Sequence, residues 1–585
     1  MSVVKLLRRT LGMTLLGASL VFAFAPFYRA LLVLIPLVLL LYGCHGLAPG
    51  AVFRRAWWFG LGYFLAAVYW IYFSMHVYYR IPAFVVVLMI AGLAAWLALF
   101  PALALYLTRK LAKPAHTAFS SAAVLVLLPA LWTLFEMLRG WLLSGFPWQS
   151  VGYSQVGTLL QGLAPLFGVY GVSAAVLVLA AVFYLVLLPV RRQSPAVFYT
   201  VVGVYSLVAL LGWNWLGVML LLGGLAWGLY QKQQAVYAGI AVLVLAYAGS
   251  LIPYSQKNGA ALDVAVVQGN VHQAVKWSPA GLQQSIQRYL SLSKPHWNAD
   301  LVIWPETALP EFLGRLRENV IRPVQQSFLK ADKATLLMGV PVETKNAVTG
   351  KTAAYNSVVK VTANDLQRYD KKHLVPFGEF MPFPSVLGGL YQAVGLEQEN
   401  FVSGADVQRP LYVNGHEVGI SICYEIVFGH QVSQALPDAA FLVNFSNNAW
   451  FYNPPRRPAA QARWDPARAG YRPGGSQAGV RVLYNAWRGD SLEAYQHLQI
   501  LQMRALETSR YIISTTNDGI TALVGPNGRV LSALPRFQQG VLRVRLQPLQ
   551  GATLYVLTGD YLLLALAVFA VFLFIRTAKK HKIQA

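Results

Sequence analysis

The sequence contains very few cysteines. Two occur among 585 residues, Cys44 inside a long apolar run and Cys423 far from it. Cys423 has no second cysteine in its own part of the chain, which excludes a structural disulfide there and a zinc site built from cysteines. Its thiol is therefore available for chemistry.

Charged residues are also scarce. They make up 12% of the chain and hydrophobic residues 56%, whereas soluble proteins have about 25% and about 45–50%. The hydrophobic residues cluster in long runs from about residue 11 to 252, and 260–550 has a mixed composition. This distribution predicts a membrane region followed by a water-facing domain.

Acidic residues are the rarer charged class, with 23 Asp and Glu against 47 Lys and Arg, and a net charge of +24. The basic residues lie at the ends of apolar runs and in one loop, without an RNA- or DNA-binding motif. Attraction to anionic lipid headgroups is therefore the simpler explanation, and no nucleic-acid partner is expected.

The apolar runs predict membrane-spanning helices, each of about 20 residues. No small-residue cleavage site follows the first run, so it is not expected to be a signal peptide. Eight or ten spans are expected, because the 197–230 pair is short. The candidate spans are 11–28, 30–48, 56–77, 83–108, 118–138, 164–190, 197–212, 214–230, 234–252 and 554–576.

Positive charges orient these spans, because cytoplasmic loops are enriched in Lys and Arg. Basic residues precede the first span, follow every even-numbered span and fill the C-terminal tail. Both termini are therefore predicted on the cytoplasmic side. The expected division is a membrane bundle over 1–252, an extracytoplasmic domain over 253–553, and a last span with a tail over 554–585.

The connection after the fifth span, Arg139 to Ser154, is rich in aromatic residues and reads RGWLLSGFPWQSVGYS. Two interpretations remain open. Such residues often form an interfacial aromatic belt, or this segment forms the floor of a site at the membrane surface beneath the domain.

Strand-like runs alternate with helix-like stretches in the domain. This alternation predicts an α/β fold, and the continuous apolar runs predict strands buried on both faces. No glycine-rich phosphate loop opens a helix, so no nucleotide is expected. The predicted strands are 262–268, 300–304, 335–341, 355–361, 417–423, 440–445, 510–516 and 520–525, and the predicted helices are 281–294, 312–331 and 488–509.

Three strand ends carry polar residues. They are Glu306 in WPE, Lys371 in YDKKHLVPFGE and Cys423 in ICYE. A carboxylate can take a thiol proton, a thiolate can attack an acyl carbon, and an ammonium can stabilise both thiolate and oxyanion. Each residue alone also has a plainer explanation, since a cysteine can be a buried apolar residue and a Glu or Lys a surface ion pair.

These three segments, in this order, resemble the nitrilase superfamily, whose members carry a Glu–Lys–Cys triad on an α-β-β-α sandwich. The whole chain resembles the apolipoprotein N-acyltransferase family, in which a nitrilase-like domain lies between a multi-span bundle and one C-terminal span. The stretches that carry this resemblance are FEMLRGWLLSGFPWQSVGYSQ at 135–155, VVQGNVHQAVKW at 266–277, HLVPFGEF at 373–380, ICYEI at 422–426, SNNAWF at 446–451 and QMRALETSR at 502–510.

The resemblance implies that Glu306 is the general base, Lys371 the oxyanion-side lysine and Cys423 the nucleophile. Single aromatic residues among the remaining candidates are equally well explained by core packing. The supporting candidates are Glu379, Tyr424 and Glu425, and the substrate-binding candidates are Arg139, Trp148, Trp277, Trp450 and Phe451.

The resemblance further implies a two-step acyl transfer that needs no cofactor or metal. Cys423 would take an acyl chain from a membrane phospholipid and pass it to the α-amine of a diacylglyceryl-cysteine at an apolipoprotein N-terminus. This is the last step of bacterial lipoprotein maturation. The implied protein is a monomer in the bacterial inner membrane, with its catalytic domain on the periplasmic side.

Two other functions are considered. A membrane-tethered amidase or hydrolase could use the same triad, with water replacing the amine. A transporter or channel is disfavoured, because the predicted spans carry few ionisable residues beyond Glu136 and Arg139, and pumps and pores typically need them.

A basic stretch departs from the family pattern and generates a first prediction. Residues 452–490 are rich in Pro, Gly and Arg, and long loops of this kind are usually lids or disordered. The hypothesis is that this stretch rests on anionic headgroups or gates the site, although a tolerated surface insertion is the alternative. Deleting 455–487 should lower activity on membrane vesicles and change its salt dependence. Unchanged activity at low and high salt would contradict the hypothesis.

Overall fold

The N-terminal part of the chain is helical, as its apolar runs predict. The computed structural model describes residues 3–112, 119–211, 214–231, 233–331, 334–345, 352–393, 401–452 and 491–583, so the basic stretch lies outside the described residues from 453 onward. The first ten helices are α1 (Val3–Ala18), α2 (Leu34–Cys44), α3 (Pro49–Val68), α4 (Ala83–Leu97), α5 (Leu99–Leu111), α6 (Leu128–Arg139), α7 (Ala164–Gln193), α8 (Pro195–Leu211), α9 (Asn214–Tyr230) and α10 (Ala235–Leu251).

Two helical stretches in the described residues are long and apolar enough to cross a membrane, Ala83–Leu111 and Leu159–Gln193, each with a mean hydropathy of 2.6. The shorter apolar helices are Ala30–Cys44, Pro195–Leu211, Leu216–Tyr230, Ala235–Leu251 and Tyr561–Thr577. Large apolar side chains such as Phe84, Trp227 and Phe569 are exposed on these helices. Extended exposed apolar surface is typical of a membrane or protein contact.

The region after Ile252 contains fourteen described strands. They are β1 (Gln256–Lys257), β2 (Leu262–Gln268), β3 (Leu301–Trp304), β4 (Thr335–Lys345), β5 (Thr352–Val361), β6 (Leu366–Asp370), β7 (Leu411–Val413), β8 (His416–Ile422), β9 (Phe441–Ser446), β10 (Ile512–Thr516), β11 (Ala522–Val524), β12 (Val530–Ala533), β13 (Gly540–Leu546) and β14 (Leu549–Gln550).

These strands form two six-stranded sheets and a small pair. Sheet A has the order β13-β2-β3-β4-β5-β6, sheet B the order β12-β11-β10-β9-β8-β7, and β1 pairs with β14. Strands β2, β3 and β4 are parallel, as are β8, β9 and β10. Because β5 is antiparallel to both β4 and β6, the carboxyl ends of β3 and β6 lie at the same edge of sheet A.

Helices cover the outer faces of both sheets. Those of this region are α11 (Gln273–Lys276), α12 (Pro279–Ser293), α13 (Leu313–Leu316), α14 (Arg322–Ala331), α15 (Pro384–Ala393), α16 (Gly429–Ser433), α17 (Glu493–Thr508), α18 (Leu554–Thr558) and α19 (Tyr561–Ile583). Side chains of both sheets, including Val266 and Phe445, meet in a buried core between them. Tyr289 of α12 and Phe328 of α14 pack on sheet A. The result is an α-β-β-α sandwich.

The helical layer over sheet B also packs against the N-terminal helices. Leu442 of β9 and Leu498 of α17 belong to the same buried core as Val176 and Ala180 of α7. The two parts of the chain therefore share one hydrophobic core along α17.

A buried ion pair lies in this shared core. Arg504 Nη1 and Glu507 Oε2 are 2.9 Å apart, and both side chains are buried. Glu507 Oε1 also accepts a hydrogen bond of 2.7 Å from the backbone N–H of Val169, beside a non-helical residue of α7, Gly168. The side chain of Arg504 donates to Tyr153 Oη at 3.1 Å. The pair thus ties α17 to two segments of the N-terminal part.

We expect Glu507→Gln to destabilise the protein by about 3 kcal/mol, because it leaves the Arg504 charge buried and uncompensated. Thermal unfolding of the full chain in detergent measures the change. Glu343→Gln, at an exposed position on β4, is the matched control and should leave the midpoint unchanged. An equal, small effect of both substitutions would show that the ion pair does not join the two parts.

Candidate active site

The three residues predicted to form the triad follow three strand ends. Glu306 lies two residues after β3, Lys371 directly after β6 and Cys423 directly after β8. Lys371 Nζ lies 3.9 Å from Glu306 Oε1. Glu306 and Lys371 both act electrostatically on the Cys423 thiol. The structure thus brings together a base, a cation and a thiol from separate parts of the sequence.

Lys371 is shared by two carboxylates. Its Nζ lies 2.8 Å from Glu379 Oε2, closer than the 3.9 Å to Glu306 Oε1. Asn356, in the middle of β5, donates through Nδ2 to Glu306 Oε1 at 2.8 Å and to Glu379 Oε1 at 2.7 Å. Glu379 is therefore the direct partner of the lysine, while Glu306 keeps capacity to accept a proton.

Burial changes the proton affinities of all three groups. It raises the pKa of Glu306, which Lys371 opposes. Burial alone would lower the pKa of Lys371, but Glu379 and Glu306 outweigh it and raise that pKa. Burial and Glu306 raise the pKa of the Cys423 thiol, against the opposing charge of Lys371. Cys423 is consequently a protonated thiol at rest.

The backbone at Cys423 has an unusual conformation. Its φ is 51°, in the left-handed region, and it is the first residue of the short helical turn Cys423–Val427. This conformation costs a non-glycine residue about 1–3 kcal/mol and often marks a functional site. Asn444, on the neighbouring strand β9, donates through Nδ2 to the carbonyl of Cys423 at 3.2 Å. This hydrogen bond stabilises the Cys423–Val427 turn at the end of β8.

Glu425 connects the Cys423 turn to the Lys371 segment. Its carboxylate accepts backbone hydrogen bonds from Ile422 at 2.7 Å, from Lys372 at 2.6 Å and from His373 at 3.1 Å. Tyr369 Oη donates to it as well, at 3.2 Å. Glu425 therefore ties the Cys423 turn to the Lys371 segment, while its supporting role in catalysis stays a prediction.

The aromatic segment 139–154 lies against the site. Tyr424 Oη, next to the nucleophile, donates to the carbonyl of Gly145 at 3.1 Å. Ser144 Oγ lies 3.1 Å from Nε2 of His373. Gly145 has a φ of 77°, and a Cβ there would collide with the carbonyl of Gly140. The segment therefore contacts the residues around the candidate site, and its role as the floor of a site stays a prediction.

Arg139 and Trp148, two predicted substrate-binding residues, are buried in that segment. Arg139 Nη1 donates to the carbonyls of Phe146 at 2.6 Å and Trp148 at 2.7 Å. The Trp148 indole donates to Gln496 Oε1 of α17 at 2.8 Å. These contacts hold the segment in shape, so a direct substrate contact by either residue stays a prediction.

The three remaining predicted aromatic residues lie in two different environments. Trp450 stacks on Tyr79 with ring centres 5.8 Å apart, and Phe451 meets Trp70 edge-on at 4.9 Å. Trp277, by contrast, is 54% exposed. Trp450 and Phe451 thus join the domain to the N-terminal part, and Trp277 is the more accessible to a lipid chain.

Three polar residues of the site were not predicted. Asn356 bridges the two carboxylates, Asn444 holds the nucleophile's carbonyl, and His373 stacks on Phe428 with ring centres 3.8 Å apart. Burial lowers the pKa of His373 to about 4, so it is neutral at physiological pH. The sequence did contain an indication that Asn356 has a special role, because asparagine is disfavoured inside a buried strand.

A thiol, a lysine and carboxylates at the strand ends of an α-β-β-α sandwich define a protein of the carbon–nitrogen hydrolase class. Residues 263–463 and 475–553 match the model of that family, "Carbon-nitrogen hydrolase". Residues 16–182 match a second model, "Apolipoprotein N-acyltransferase N-terminal domain". The match of the N-terminal part points to one particular family within the carbon–nitrogen hydrolase class.

Curated relatives cover nearly the whole chain. The apolipoprotein N-acyltransferase of Methylococcus capsulatus is 33% identical over 93% of this chain and 91% of its own length. That of Nitrosomonas europaea is 33% identical over 94% of both chains, and that of Vibrio vulnificus 30% identical over 95% and 94%. The chain belongs to the apolipoprotein N-acyltransferase family. The predicted family, the enzyme class of N-acyltransferase and the carbon–nitrogen hydrolase fold are confirmed, while the roles of single site residues stay predictions.

We expect Asn356→Ala to slow acylation of the enzyme about 10- to 100-fold, as is typical when a partner that orients a reactive group is lost. Without the bridging amide, Glu306 and Glu379 lose their common donor and their spacing. Single-turnover kinetics with phospholipid measures the rate. Asn364→Ala, at an exposed position between β5 and β6, is the matched control. Equal rates for both variants would show that the bridge has no function.

Proposed function

We propose that this chain transfers a fatty acyl group from a membrane phospholipid to the α-amine of a diacylglyceryl-cysteine at the N-terminus of an apolipoprotein, through a thioester on Cys423. The observation that carries the proposal is geometric: Lys371 Nζ lies 3.9 Å from Glu306 Oε1, and Glu425 binds the backbone of both the Lys371 segment and the turn that carries Cys423. Membership of the family supports the acceptor, since the relatives carry that name.

In the first step, Glu306 accepts the thiol proton and the Cys423 thiolate attacks the ester carbonyl of the phospholipid. Lys371 stabilises the negative charge that develops on the carbonyl oxygen. The C–O bond of the ester then breaks, and Glu306 returns its proton to the leaving alkoxide oxygen. The products are a lysophospholipid and an acyl thioester on Cys423.

In the second step, the neutral α-amine of the acceptor attacks the thioester carbonyl. Glu306 takes a proton from the attacking nitrogen, the C–S bond breaks and an amide forms. The sulfur leaves as a thiolate and regains the proton from Glu306. The same carboxylate thus serves twice as base and twice as acid, which requires a proton affinity near the working pH.

We also propose that the N-terminal helices lie in a bacterial inner membrane. Residues 1–252 would form the bundle, 253–553 the periplasmic domain and 554–585 the last span and its tail, with both termini in the cytoplasm. The exposed apolar side chains of these helices and the basic even-numbered connections support this arrangement. No second copy of the chain is required, so we propose a monomer.

A site at the membrane surface suits two lipid-anchored substrates. Transferring an acyl chain out of an apolar environment into water costs about 0.8 kcal/mol per CH₂. The aromatic segment 139–154 contacts Tyr424, the residue after Cys423, which supports an approach of the acyl chain from the side of the N-terminal helices.

Mass spectrometry of the full chain tests this proposal. Incubation with phosphatidylethanolamine vesicles and no acceptor should add one acyl chain to Cys423. A synthetic diacylglyceryl-cysteine peptide should then remove it and become N-acylated. Cys423→Ala should carry no adduct, while Cys44→Ala, which changes the other cysteine, should behave as wild type.

Two results would contradict the proposal. A Cys423→Ala variant that still N-acylates the peptide would exclude the thioester route. Release of free fatty acid in place of the N-acylated peptide would favour the membrane-tethered hydrolase.

A further inference from the structure

A second buried lysine lies near the catalytic carboxylates. Lys276, the last residue of α11, is 0% exposed. Among the residues that the structure describes, no hydrogen-bond partner pairs with its Nζ. A buried ammonium without a partner is costly, so its retention calls for a function.

The backbone places Lys276 at the catalytic end of the sandwich. Its helix follows β2, the neighbour of β3, whose end carries Glu306. Asn447, directly after β9, donates to Gln273 Oε1 at 3.2 Å, and Asn517, directly after β10, donates to the carbonyl of Val271 at 2.8 Å. The segment is thereby held at the carboxyl ends of the sheet B strands, where the Cys423 turn also lies.

Other polar atoms around this segment are also without partners in the described part of the chain. They are Gln273 Nε2 and Asn447 Oδ1, both buried. Ser446 Oγ, on the residue before Asn447, is likewise buried and without a hydrogen-bond partner in the described residues.

The charges around Glu306 show why a second cation is needed. Two carboxylates, the buried Glu306 and the partly exposed Glu379, share the single ammonium of Lys371, which lies closer to Glu379. Burial raises the pKa of Glu306, and the charges of Lys371 and, to a smaller extent, Lys276 oppose that rise. The other carboxylate near Lys276 is Asp518, which accepts a hydrogen bond of 2.7 Å from Tyr452 and also experiences Arg536 and His272.

We propose that Lys276 is a positioning residue for catalysis, whose buried ammonium keeps Glu306 ionised and ready to accept the proton of Cys423 or of the attacking amine. This inference rests on the proposed function. Burial lowers the pKa of the Lys276 amine to about 8, against the opposing charges of Asp518 and Glu306. At neutral pH the amine is therefore mostly protonated, and it loses this charge only above that value.

The pH dependence of enzyme acylation tests the proposal. Removing the ammonium with Lys276→Met should raise the pKa of Glu306, so the acid limb of the profile should move to higher pH by about one unit. Below the wild-type midpoint this is about a tenfold loss of rate. The two profiles should converge above about pH 8, where Lys276 of the wild type has itself become neutral.

The assay follows the Cys423 thioester in the full chain by mass spectrometry, with phosphatidylethanolamine vesicles. Lys276→Arg, which keeps the charge, should leave the acid limb at its wild-type position even where the rate falls. Lys294→Met, at an exposed position of the same domain, is the matched control. Lys276→Gln is the second neutral variant if the methionine does not fold, as judged by thermal unfolding.

An unshifted acid limb in a folded neutral variant would overturn the proposal, and so would an equal loss of rate at every pH, which is the mark of a merely structural residue. Failure of the proposed function gives a different result. In that case the wild-type chain itself would form no thioester at Cys423.

Discussion

Two carboxylates sharing one lysine is the constraint on which the rest of the site depends. Glu379 pairs directly with Lys371, and Asn356 holds both carboxylates at one amide. Glu306 is buried and Glu379 is partly buried, so their charges would repel each other without these contacts. The arrangement leaves Glu306 the less paired of the two, which makes it the group that can exchange protons with a substrate.

The fold brings the residues of the site together from both sheets. The carboxyl ends of β3 and β6 meet at one edge of sheet A, while β8 brings Cys423 from sheet B. Glu425 then joins the two halves through backbone hydrogen bonds to both the cysteine turn and the lysine segment. Glu425 and Asn444 of β9 bind the turn that contains the left-handed backbone of Cys423.

Much of the sandwich could be predicted, because β2, β3, β4, β8, β9 and β10 are continuous apolar runs of the kind that parallel, doubly covered strands require. Strands β1, β6, β7, β12, β13 and β14 were missed. The strand β13 alternates exposed arginines with buried residues and pairs with β2 far away in sequence, so its identity depends on a contact that no local pattern reveals. The roles of Glu306, Lys371 and Cys423 came from the family resemblance, since their spacing alone left the plainer explanations open. The roles inferred for Asn356 and Lys276 could not be predicted, because the strands that bring their partners close are distant in sequence.

The most direct measurement is a cryo-EM structure of the enzyme in a lipid nanodisc after incubation with phospholipid and no acceptor. The account predicts density continuous from Cys423 Sγ into an acyl chain, Lys371 beside the thioester oxygen, and the N-terminal helices within the disc. An intact phospholipid with an unmodified Cys423, or an acyl chain attached elsewhere, would contradict the account.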